Sequence, residues 1–292
     1  MKVLVTGAKG MLGRDLTGVL QREHQVTGVD IADFDIANRA EVLSTLQAAA
    51  PEVVIHCAAY TDVEKAETDV DRAYAVNADG SEHIARACRK IGARLYLIST
   101  DFVFDGTKGA PYVEADLPIP LSEYGRSKFE GETRARRVLG EKLKIVRTAW
   151  LYGAGGENFL TKLVRFSRGQ DKLKVVNDQV GSPTWTVELA ECLARMLAAG
   201  IQRPVYHAAC AGACSRFELA REWLTLVGLV NIRLEPVGSA EFPSAAQRPA
   251  NSSLASENFV LDGITPPAPW REALARFADS GGREIAAKLL EG

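Results

Sequence analysis

Apolar residues in the first half of the chain form short continuous runs that alternate with longer stretches of helical periodicity. The short runs have the length of buried strands and lie at residues 2–6, 25–29, 52–56, 94–99 and 143–148. The longer stretches repeat apolar positions every three or four residues and lie at residues 11–21, 40–49, 70–90 and 121–138. Because strand and helix alternate, we predict an α/β fold with a doubly wound parallel sheet that helices cover on both faces.

The order of elements becomes less regular beyond residue 150. Helices are predicted at residues 159–167, 187–199, 216–226 and 269–277, and short strands at residues 174–176, 204–208 and 233–236. We therefore predict a main domain over residues 1–150 and mainly a smaller C-terminal α/β lobe over residues 151–292. Some segments of the second part are expected to return to the main sheet.

The composition is that of an ordinary folded protein, since 47% of the 292 residues are hydrophobic and 25% are charged, enough for a sizeable core. The net charge of −2 argues against nucleic acid or an anionic membrane surface as the main partner. No apolar run reaches the ~18 residues of a membrane-spanning helix, and no leader pattern precedes the first predicted strand. The five cysteines are odd in number and mostly far apart, so we expect reduced thiols and a cytoplasmic protein.

The first predicted strand leads directly into three glycines, Gly7, Gly10 and Gly13, at the start of the first predicted helix. Their G-x-x-G-x-x-G spacing is a variant of the dinucleotide fingerprint, which needs a tight turn and a backbone that a pyrophosphate can approach. The backbone amides at Met11 and Leu12 and the helix dipole would then face the phosphates. We predict dinucleotide binding here; the alternative is a glycine turn without a ligand.

Asp30 ends the second predicted strand, where a carboxylate can accept hydrogen bonds from the adenosine ribose hydroxyls. This favours NADH, because the 2′-phosphate of NADPH would meet a negative charge. Lys9 and Arg14 would instead favour NADPH if either contacts its phosphate; the alternative is that both are solvated surface charges. Because these signals oppose that of Asp30, we expect the use of both NADPH and NADH. Asp35 and Ile36 at the next turn are predicted to contact the adenine, unless Asp35 caps the helix that follows.

Tyr124 and Lys128 lie four residues apart in the helix predicted at residues 121–138, so both side chains project from one helical face. A nearby ammonium favours the phenolate and is expected to lower the tyrosine pKa from its usual value of about 10. A phenol of this kind is a workable acid or base for a carbonyl and an alcohol. The same spacing is common on solvated helices. Thr100, at the end of the strand at 94–99, supports the chemical alternative, because ligands of such sheets bind beyond the strand ends.

Several longer motifs accompany these residues. They are CAAYTDVEKAE at 57–67, STDFVFDG at 99–106, YGRSKFEGE at 124–132, RTAWLYG at 147–153, NDQVGSPT at 177–184 and RPANS at 248–252. Thr100, Tyr124 and Lys128 resemble the catalytic triad of the extended short-chain dehydrogenase/reductase superfamily. The motifs resemble the dTDP-4-dehydrorhamnose reductase family within it, from residue 1 to roughly residue 280. The resemblance implies a Rossmann-type fold with a smaller substrate lobe.

The resemblance also implies an activity, the NADPH- or NADH-dependent reduction of the C4 ketone of dTDP-4-dehydro-β-L-rhamnose. The product would serve dTDP-rhamnose and cell-surface polysaccharide biosynthesis. Hydride attack builds negative charge on the ketone oxygen, which needs aimed donors and a proton. We expect Tyr124 to be the general acid, Thr100 to donate a second hydrogen bond, and Lys128 to hold the nicotinamide ribose.

Further contacts follow from the same resemblance. We expect the cofactor to lie against the end of the third strand, at Ala58, Ala59, Tyr60 and Thr61. Asp62, Val63 and Trp150 are expected to enclose the deoxysugar, with Asp101 close to its hydroxyls. Arg248 is expected to bind the diphosphate. The alternatives are a core tryptophan for Trp150 and a surface ion pair for Arg248.

Two positions within the motifs call for separate comment. Asn77 lies in a Val-Asn-Ala pattern seen across extended reductases, and it is expected to position the catalytic region. Because asparagine is unfavourable inside a helix, we expect a tertiary contact for its side chain. Phe102 stands where the family often has tyrosine, so a polar role there is not expected.

Some family members dimerise around Mg²⁺ held by acidic side chains. Scattered acids that would suit this are Asp15, Glu188, Glu191 and Glu291, but their spacing does not require a metal. We expect no metal site, a dTDP-sugar as partner, and a monomer or homodimer. Two alternative functions stay open: another nucleotide-sugar reductase or epimerase of the superfamily, and a non-catalytic regulatory subunit like the reductase-like partner of methionine adenosyltransferase.

Overall fold

The computed structural model describes residues 1–291. The strands are β1 Lys2–Thr6, β2 Gln25–Val29, β3 Val53–His56, β4 Arg94–Thr100, β5 Leu143–Thr148, β6 Leu151–Tyr152, β7 Lys172–Val176, β8 Val180–Gly181, β9 Thr184–Trp185, β10 Val205–His207, β11 Cys214–Ser215 and β12 Arg233–Val237. The helices are α1 Met11–Leu20, α2 Arg39–Ala49, α3 Val63–Ala66, α4 Val70–Tyr74, α5 Gly80–Ile91, α6 Glu123–Leu139, α7 Phe159–Ser167, α8 Thr186–Ala199, α9 Arg216–Leu226, α10 Glu257–Leu261, α11 Trp270–Phe277 and α12 Arg283–Glu291.

The main sheet has six strands in the order β10-β5-β4-β3-β1-β2, and all of its pairings are parallel. This confirms the predicted Rossmann-type doubly wound sheet. The chain passes from β1 to β2 on one side and then returns to β3 on the other side of β1. The crevice beyond the ends of β1 and β3 is therefore the topological switch point, where ligands of such sheets bind.

Both faces of the main sheet are buried, as the continuous apolar runs predict. Val3 and Val5 of β1 pack against α1 and α8, whereas Leu4 between them packs on the opposite face against α2 and α5. This alternation follows from the two-residue period of a strand. The two apolar layers hold the strand ends, and with them the switch point, in a fixed position.

The second half contributes a separate apolar cluster and also extends the main sheet. Trp223 and Phe277 stack at 5.4 Å in the centre of a cluster formed by α7, α9, α11 and α12 beside the parallel pair β7 and β12. β10 pairs in parallel with β5, and α8 covers the sheet beside α1. The division of roles at residue 150 stays a prediction.

Several predicted elements differ from the structure in detail. The helix predicted at residues 70–90 contains a π-helical turn at Ala75–Asp79 between α4 and α5. α6 begins two residues later than predicted, because the Ser122 hydroxyl accepts a hydrogen bond from the Gly125 amide and caps the helix at that point. The pattern analysis missed α3, α10 and the two-residue strands, which are too short for a periodicity argument. It also missed α12, which follows α11 after a kink at Ser280 and Gly281.

Within residues 1–291, none of the helices is both long enough and apolar enough to cross a membrane.

Candidate active site

A cleft of about 1610 Å³ lies between the strand ends of the main sheet and the second half of the chain. The residues predicted to act in catalysis or to bind the cofactor or the substrate line this cleft, with the exception of Asp62. The Asp62 side chain instead caps α3, where it accepts a hydrogen bond from the Lys65 amide at 3.0 Å. Lys9 and Arg14, considered for a phosphate contact, do not line the cleft. The cofactor candidates are Gly7, Gly10, Met11, Leu12, Gly13, Asp30, Asp35, Ile36, Ala58, Ala59, Tyr60 and Thr61. The catalytic and substrate candidates are Thr100, Tyr124, Lys128, Val63, Asp101, Trp150 and Arg248. Their shared location makes one combined site possible, but it does not assign their roles.

The glycine loop is shaped by close backbone contacts. Gly7 has φ +66°, and a Cβ atom there would lie 2.7 Å from the backbone nitrogen of Ala58. A Cβ atom at Gly13 would lie 2.1 Å from the carbonyl oxygen of Gly7, so helix α1 could not pack against the loop. No side chain among residues 1–291 caps α1, and its first turn has no acidic residue. The open amides at this helix start fit a dinucleotide phosphate.

Asp30 connects the glycine loop to the end of β2. Its Oδ2 atom accepts a hydrogen bond from the Lys9 amide at 2.8 Å, and its Oδ1 atom accepts one from the Ile31 amide at 2.9 Å. Each carboxylate oxygen keeps a lone pair for a ribose hydroxyl. Arg14 donates from Nε to the Lys9 carbonyl oxygen at 2.7 Å, so it also braces the loop. These contacts fit the adenosine ribose of a dinucleotide.

Asp35 is part of a turn and does not cap the helix that follows. The Ala37 amide donates to Asp35 Oδ1 at 2.9 Å, and Arg72 Nη2 donates to Oδ2 at 3.2 Å. The Ala37 hydrogen bond, supported by Arg72, holds the pKa of Asp35 below its usual range. Asn38 caps α2, because its side chain accepts from the two amides that follow Arg39. The capping alternative for Asp35 is therefore wrong.

Lys128 lies on α6 at the base of the cleft and is only 6% exposed. Its ammonium group donates a hydrogen bond to the carbonyl oxygen of Ile98 at 2.8 Å. Burial lowers the pKa of Lys128 to about 8, although the Glu132 carboxylate opposes this shift. The amine is therefore charged near neutral pH and is fixed to the strand that carries Thr100.

The expected lowering of the Tyr124 pKa is wrong for this structure. Burial raises the pKa of Tyr124 to about 12, and the opposing effect of the Thr100 hydroxyl is smaller. The phenolate is disfavoured because it would be desolvated in the cleft. Near neutral pH Tyr124 is therefore a protonated phenol, which suits a proton donor.

Asn77 joins two parts of the cleft wall from within the π-helical turn. Its Oδ1 atom accepts from the Tyr60 amide at 2.9 Å, and its Nδ2 atom donates to the Tyr60 carbonyl oxygen at 3.1 Å and to Ser127 Oγ at 3.0 Å. The Ser81 hydroxyl donates to the Asn77 carbonyl oxygen at 2.6 Å within the widened turn. The side chain thus has the tertiary contact that a mid-helix asparagine predicts, and it ties the loop after β3 to α6.

Asp101 forms a buried network beside Thr100 and is 2% exposed. Thr100 Oγ1 donates to Asp101 Oδ1 at 3.1 Å, and Ser252 Oγ donates to Oδ2 at 2.5 Å. Burial raises the pKa of Asp101 to about 6. Ser252 was not singled out from the sequence, although it lies in the RPANS motif at 248–252, which was the available signal.

Trp150 has an unusual backbone and a tightly packed ring. Its φ of +45° lies in the left-handed region, which costs a residue with a side chain about 1–3 kcal/mol. A Cβ atom on Gly181 would lie 2.3 Å from the indole ring, so only glycine leaves room for it there. The Arg216 guanidinium lies 3.5 Å from the ring centroid. Arg216 also lines the cleft and was missed, because it is a single arginine outside any motif.

Arg248 lines the cleft and also forms the ion pair of the alternative interpretation. Its Nη2 atom lies 2.6 Å from Glu64 Oε1. The Glu64 carboxylate accepts further hydrogen bonds from the Ser244 hydroxyl at 2.5 Å and from the Ala245 amide at 2.9 Å. Glu64 on α3 thereby holds the segment before Arg248 across the mouth of the cleft.

Two of the acidic residues considered for Mg²⁺, Asp15 and Glu188, have other contacts. Glu188 accepts from the Ala268 amide at 3.0 Å and pairs with Arg276, and Asp15 accepts from the Thr186 hydroxyl. Among the residues that the structure describes, no three histidine, cysteine or acidic side chains are grouped to hold a metal ion.

Phe102, which stands where the family often has tyrosine, places its ring edge-to-face with Tyr124 at a centroid distance of 5.8 Å.

Comparison with known proteins identifies the family of the chain. The family described as the RmlD substrate binding domain matches residues 1–282. A dTDP-4-dehydrorhamnose reductase of Streptomyces griseus is 42% identical, with 93% of this chain and 91% of the relative covered.

Two solved structures agree with this match. One is a dTDP-4-dehydrorhamnose reductase of Clostridium acetobutylicum, with a TM-score of 0.92 and 39% identity over 96% of this chain and 99% of the other. The other, from Bacillus anthracis, is a dTDP-4-dehydrorhamnose reductase in complex with NADP. It has a TM-score of 0.90 and 35% identity over 96% of this chain and 99% of the other.

Proposed function

This chain belongs to the RmlD substrate-binding-domain family, and we propose that it is the NAD(P)H-dependent reductase of dTDP-4-dehydro-β-L-rhamnose. The C4 ketone of this sugar becomes a hydroxyl group, and the product is dTDP-β-L-rhamnose for polysaccharide biosynthesis. The Streptomyces griseus and Clostridium acetobutylicum relatives, matched over 91% and 99% of their length, carry the name of this activity. The NADP complex of the Bacillus anthracis relative supports the cofactor class.

The observation that carries the proposal is the convergence of a proton donor, a hydroxyl and a fixed ammonium beside a dinucleotide loop. Tyr124, Thr100 and Lys128 meet at the ends of parallel strands, in the cleft that the glycine loop also lines. A ketone in contact with Tyr124 and Thr100 would lie in the same cleft as the proposed cofactor positions. This is the arrangement that a carbonyl reduction requires.

The proposed mechanism assigns one task to each side chain. Bound NAD(P)H supplies the hydride that the carbonyl carbon receives. As negative charge develops on the carbonyl oxygen, Tyr124 donates its phenolic proton to that oxygen, which completes the alcohol. Thr100 donates a hydrogen bond to the same oxygen, for which its hydroxyl must turn away from Asp101. Lys128 orients the nicotinamide ribose.

Substrate recognition is assigned to the residues further along the cleft. Asp101 and Trp150 enclose the deoxysugar with Val63, and the glycine loop with Asp30 binds the adenosine half of the cofactor. The carboxylate oxygens of Asp30 already accept hydrogen bonds from backbone amides. Asp30 therefore has two roles, to brace the loop and to bind a ribose hydroxyl. We propose that both NADPH and NADH serve as reductants.

The direct test is an assay with separated substrates. The purified chain is incubated with dTDP-4-dehydrorhamnose and either NADPH or NADH, and cofactor oxidation is followed by absorbance. A GDP-4-keto sugar serves as the matched alternative substrate. We expect oxidation with the dTDP-sugar, and its absence would overturn the proposal. Oxidation only with the GDP-sugar would favour another reductase of the superfamily.

We further propose that the enzyme works in the cytoplasm as a monomer or homodimer. The five cysteines are free thiols, and four of them are buried, which suits a reducing compartment. Size-exclusion chromatography with light scattering would decide between the two assembly states.

A further inference from the structure

Arg216 differs from the other arginines of the cleft in its surroundings. Its guanidinium lies 3.5 Å from the Trp150 ring centroid and 5.0 Å from that of Phe159. In the part of the chain that the structure describes, no ion pair includes Arg216. Arg248, in contrast, pairs with Glu64 at 2.6 Å. Arg216 is thus a cation held between aromatic rings at the surface of the cleft.

Burial and a neighbouring like charge disfavour a cation at this position, and the Asp101 carboxylate offsets this only in part. Burial lowers the pKa of Arg216 to about 10, Asp101 opposes the shift, and the like charge of Arg248 adds to it. A partly desolvated charge needs a counter-charge, and two neighbouring guanidinium groups repel each other. An anion placed between Arg216 and Arg248 would remove both penalties.

We propose that Arg216 is the principal binding residue for the diphosphate of the nucleotide-sugar, and that the same guanidinium holds the Trp150 indole in place over the sugar. This inference rests on the proposed function. A guanidinium has a planar set of donors that fits a phosphate with two hydrogen bonds, while its flat face stays free to stack on an aromatic ring. Arg216 can therefore make both contacts at once.

The order of residues along the cleft agrees with this assignment. The reacting ketone lies at Tyr124 and Thr100, and the sugar extends from there toward Asp101 and Trp150. Arg216 contacts the Trp150 ring and interacts electrostatically with Asp101. It therefore lies next to the proposed sugar position, where the diphosphate of the substrate would begin. Arg248 must first leave Glu64 to bind the same group, which makes it the weaker candidate.

The shared guanidinium has a kinetic consequence. Gly181 supports one side of the indole and Arg216 another, and the backbone of Trp150 is in the left-handed region. Without Arg216 the ring would lose a contact that holds it. The loss would then appear in kcat as well as in KM, because a contact far from the ketone would no longer orient the sugar.

The test measures ligand affinity in the full chain saturated with NADPH. dTDP and thymidine are titrated calorimetrically into the wild type, Arg216→Gln, and the control Arg221→Gln, an exposed arginine on the same helix. We expect Arg216→Gln to weaken dTDP binding about 10- to 100-fold, as expected for lost hydrogen bonds to a charged group. Thymidine binding, NADPH binding and the Arg221→Gln variant are expected to stay within about twofold of the wild type.

Arg216→Lys separates the two roles. It keeps the charge but loses both the two-hydrogen-bond fit to a phosphate and the planar stack, so we expect dTDP affinity to fall about 5- to 10-fold, less than in Arg216→Gln, and kcat to fall about tenfold. If Arg216→Gln does not fold, this variant tests both roles: unchanged dTDP affinity overturns the two-hydrogen-bond contact with the diphosphate, and an unchanged kcat overturns the link to Trp150.

The outcomes also separate this inference from the proposed function. If the wild type binds dTDP and Arg216→Gln binds it equally well, the assignment of Arg216 is overturned while the proposed function stands. If the wild type neither binds dTDP nor reduces the dTDP-sugar, the proposed function fails and this inference fails with it.

Discussion

The ammonium group of Lys128 donates a hydrogen bond to the backbone carbonyl oxygen of Ile98, 2.8 Å away. Ile98 lies on β4, two residues before Thr100, so the contact fixes α6 to the strand that carries Thr100. Tyr124 lies one helical turn before Lys128 and is fixed with it. The relative positions of the three proposed catalytic side chains are therefore set before a ligand binds.

A first prediction concerns pH. Since burial lowers the pKa of Lys128 to about 8, the amine is charged below this pH and becomes neutral above it. We expect the affinity for NADPH to fall progressively as the pH rises above 8, because the ribose contact loses its charged donor. Tyr124, with a pKa raised to about 12, does not ionise in this range. Fluorescence titration across this range measures the effect.

The matched variant for this pH dependence is Lys128→Met. It is expected to bind NADPH more weakly at neutral pH and to show a flat profile above pH 8. A wild-type profile without a fall between pH 8 and pH 10 would contradict the role of the Lys128 charge.

A second prediction separates an enzyme from a regulatory subunit. Tyr124→Phe removes the proton donor and keeps the ring, so we expect kcat to fall by about 10²- to 10⁴-fold while NADPH still binds. Tyr96→Phe is the control, because Tyr96 is buried in the core of β4 and does not line the cleft. Turnover of Tyr124→Phe at the wild-type rate would exclude the assigned role.

A third prediction tests the glycine behind the indole. Gly181→Ala places a methyl group into the Trp150 ring, so we expect kcat/KM for the dTDP-sugar to fall about 10- to 100-fold. Overpacking should also lower the free energy of unfolding by about 1–3 kcal/mol. Gly18→Ala is the control, because a Cβ atom there meets nothing within 4 Å and favours helix α1. Wild-type kinetics in Gly181→Ala would show that the ring position does not matter.

A fourth prediction concerns the link between the loop after β3 and α6. Asn77→Ala removes the hydrogen bonds to the Tyr60 backbone and to the Ser127 hydroxyl, so we expect the free energy of unfolding to fall by about 1–3 kcal/mol. We also expect kcat to fall, because α6 carries Tyr124 and Lys128. The helix cap variant Asn38→Ala should lower stability by about 1 kcal/mol and leave kcat unchanged. Equal kcat values for Asn77→Ala and Asn38→Ala would show that Asn77 contributes to stability and does not position the catalytic side chains.

Local patterns were sufficient to predict most of the fold and the dinucleotide loop. The apolar runs located the main strands, because strands buried on both faces are apolar throughout. The glycine spacing and Asp30 indicated the cofactor site, because the tight turn and the ribose-binding carboxylate both belong to one short strand–helix–strand unit. Thr100 was located by the end of its strand and Tyr124 and Lys128 by their four-residue spacing, whereas their grouping into one site came from the resemblance to the extended reductases.

The remaining features depend on contacts between distant parts of the chain. Arg216 and Ser252 acquire their places only when the second half folds over the strand ends. The raised pKa of Tyr124 could not follow from a four-residue spacing, because the depth of burial determines it. The left-handed backbone of Trp150 is likewise imposed by its neighbours and is not encoded by a local turn signal.

The return of β10 and α8 to the main sheet constrains how this enzyme could be recombined with its relatives. The chain leaves the main sheet after β5, comes back with α8 and β10, and then leaves it again. A chimera made by exchanging everything after residue 150 would replace the edge strand beside β5 and one of the two helices packed on β1 with elements that did not evolve against this sheet. Grafting a new sugar specificity therefore requires exchanging discontinuous segments while residues 186–208 stay with the recipient.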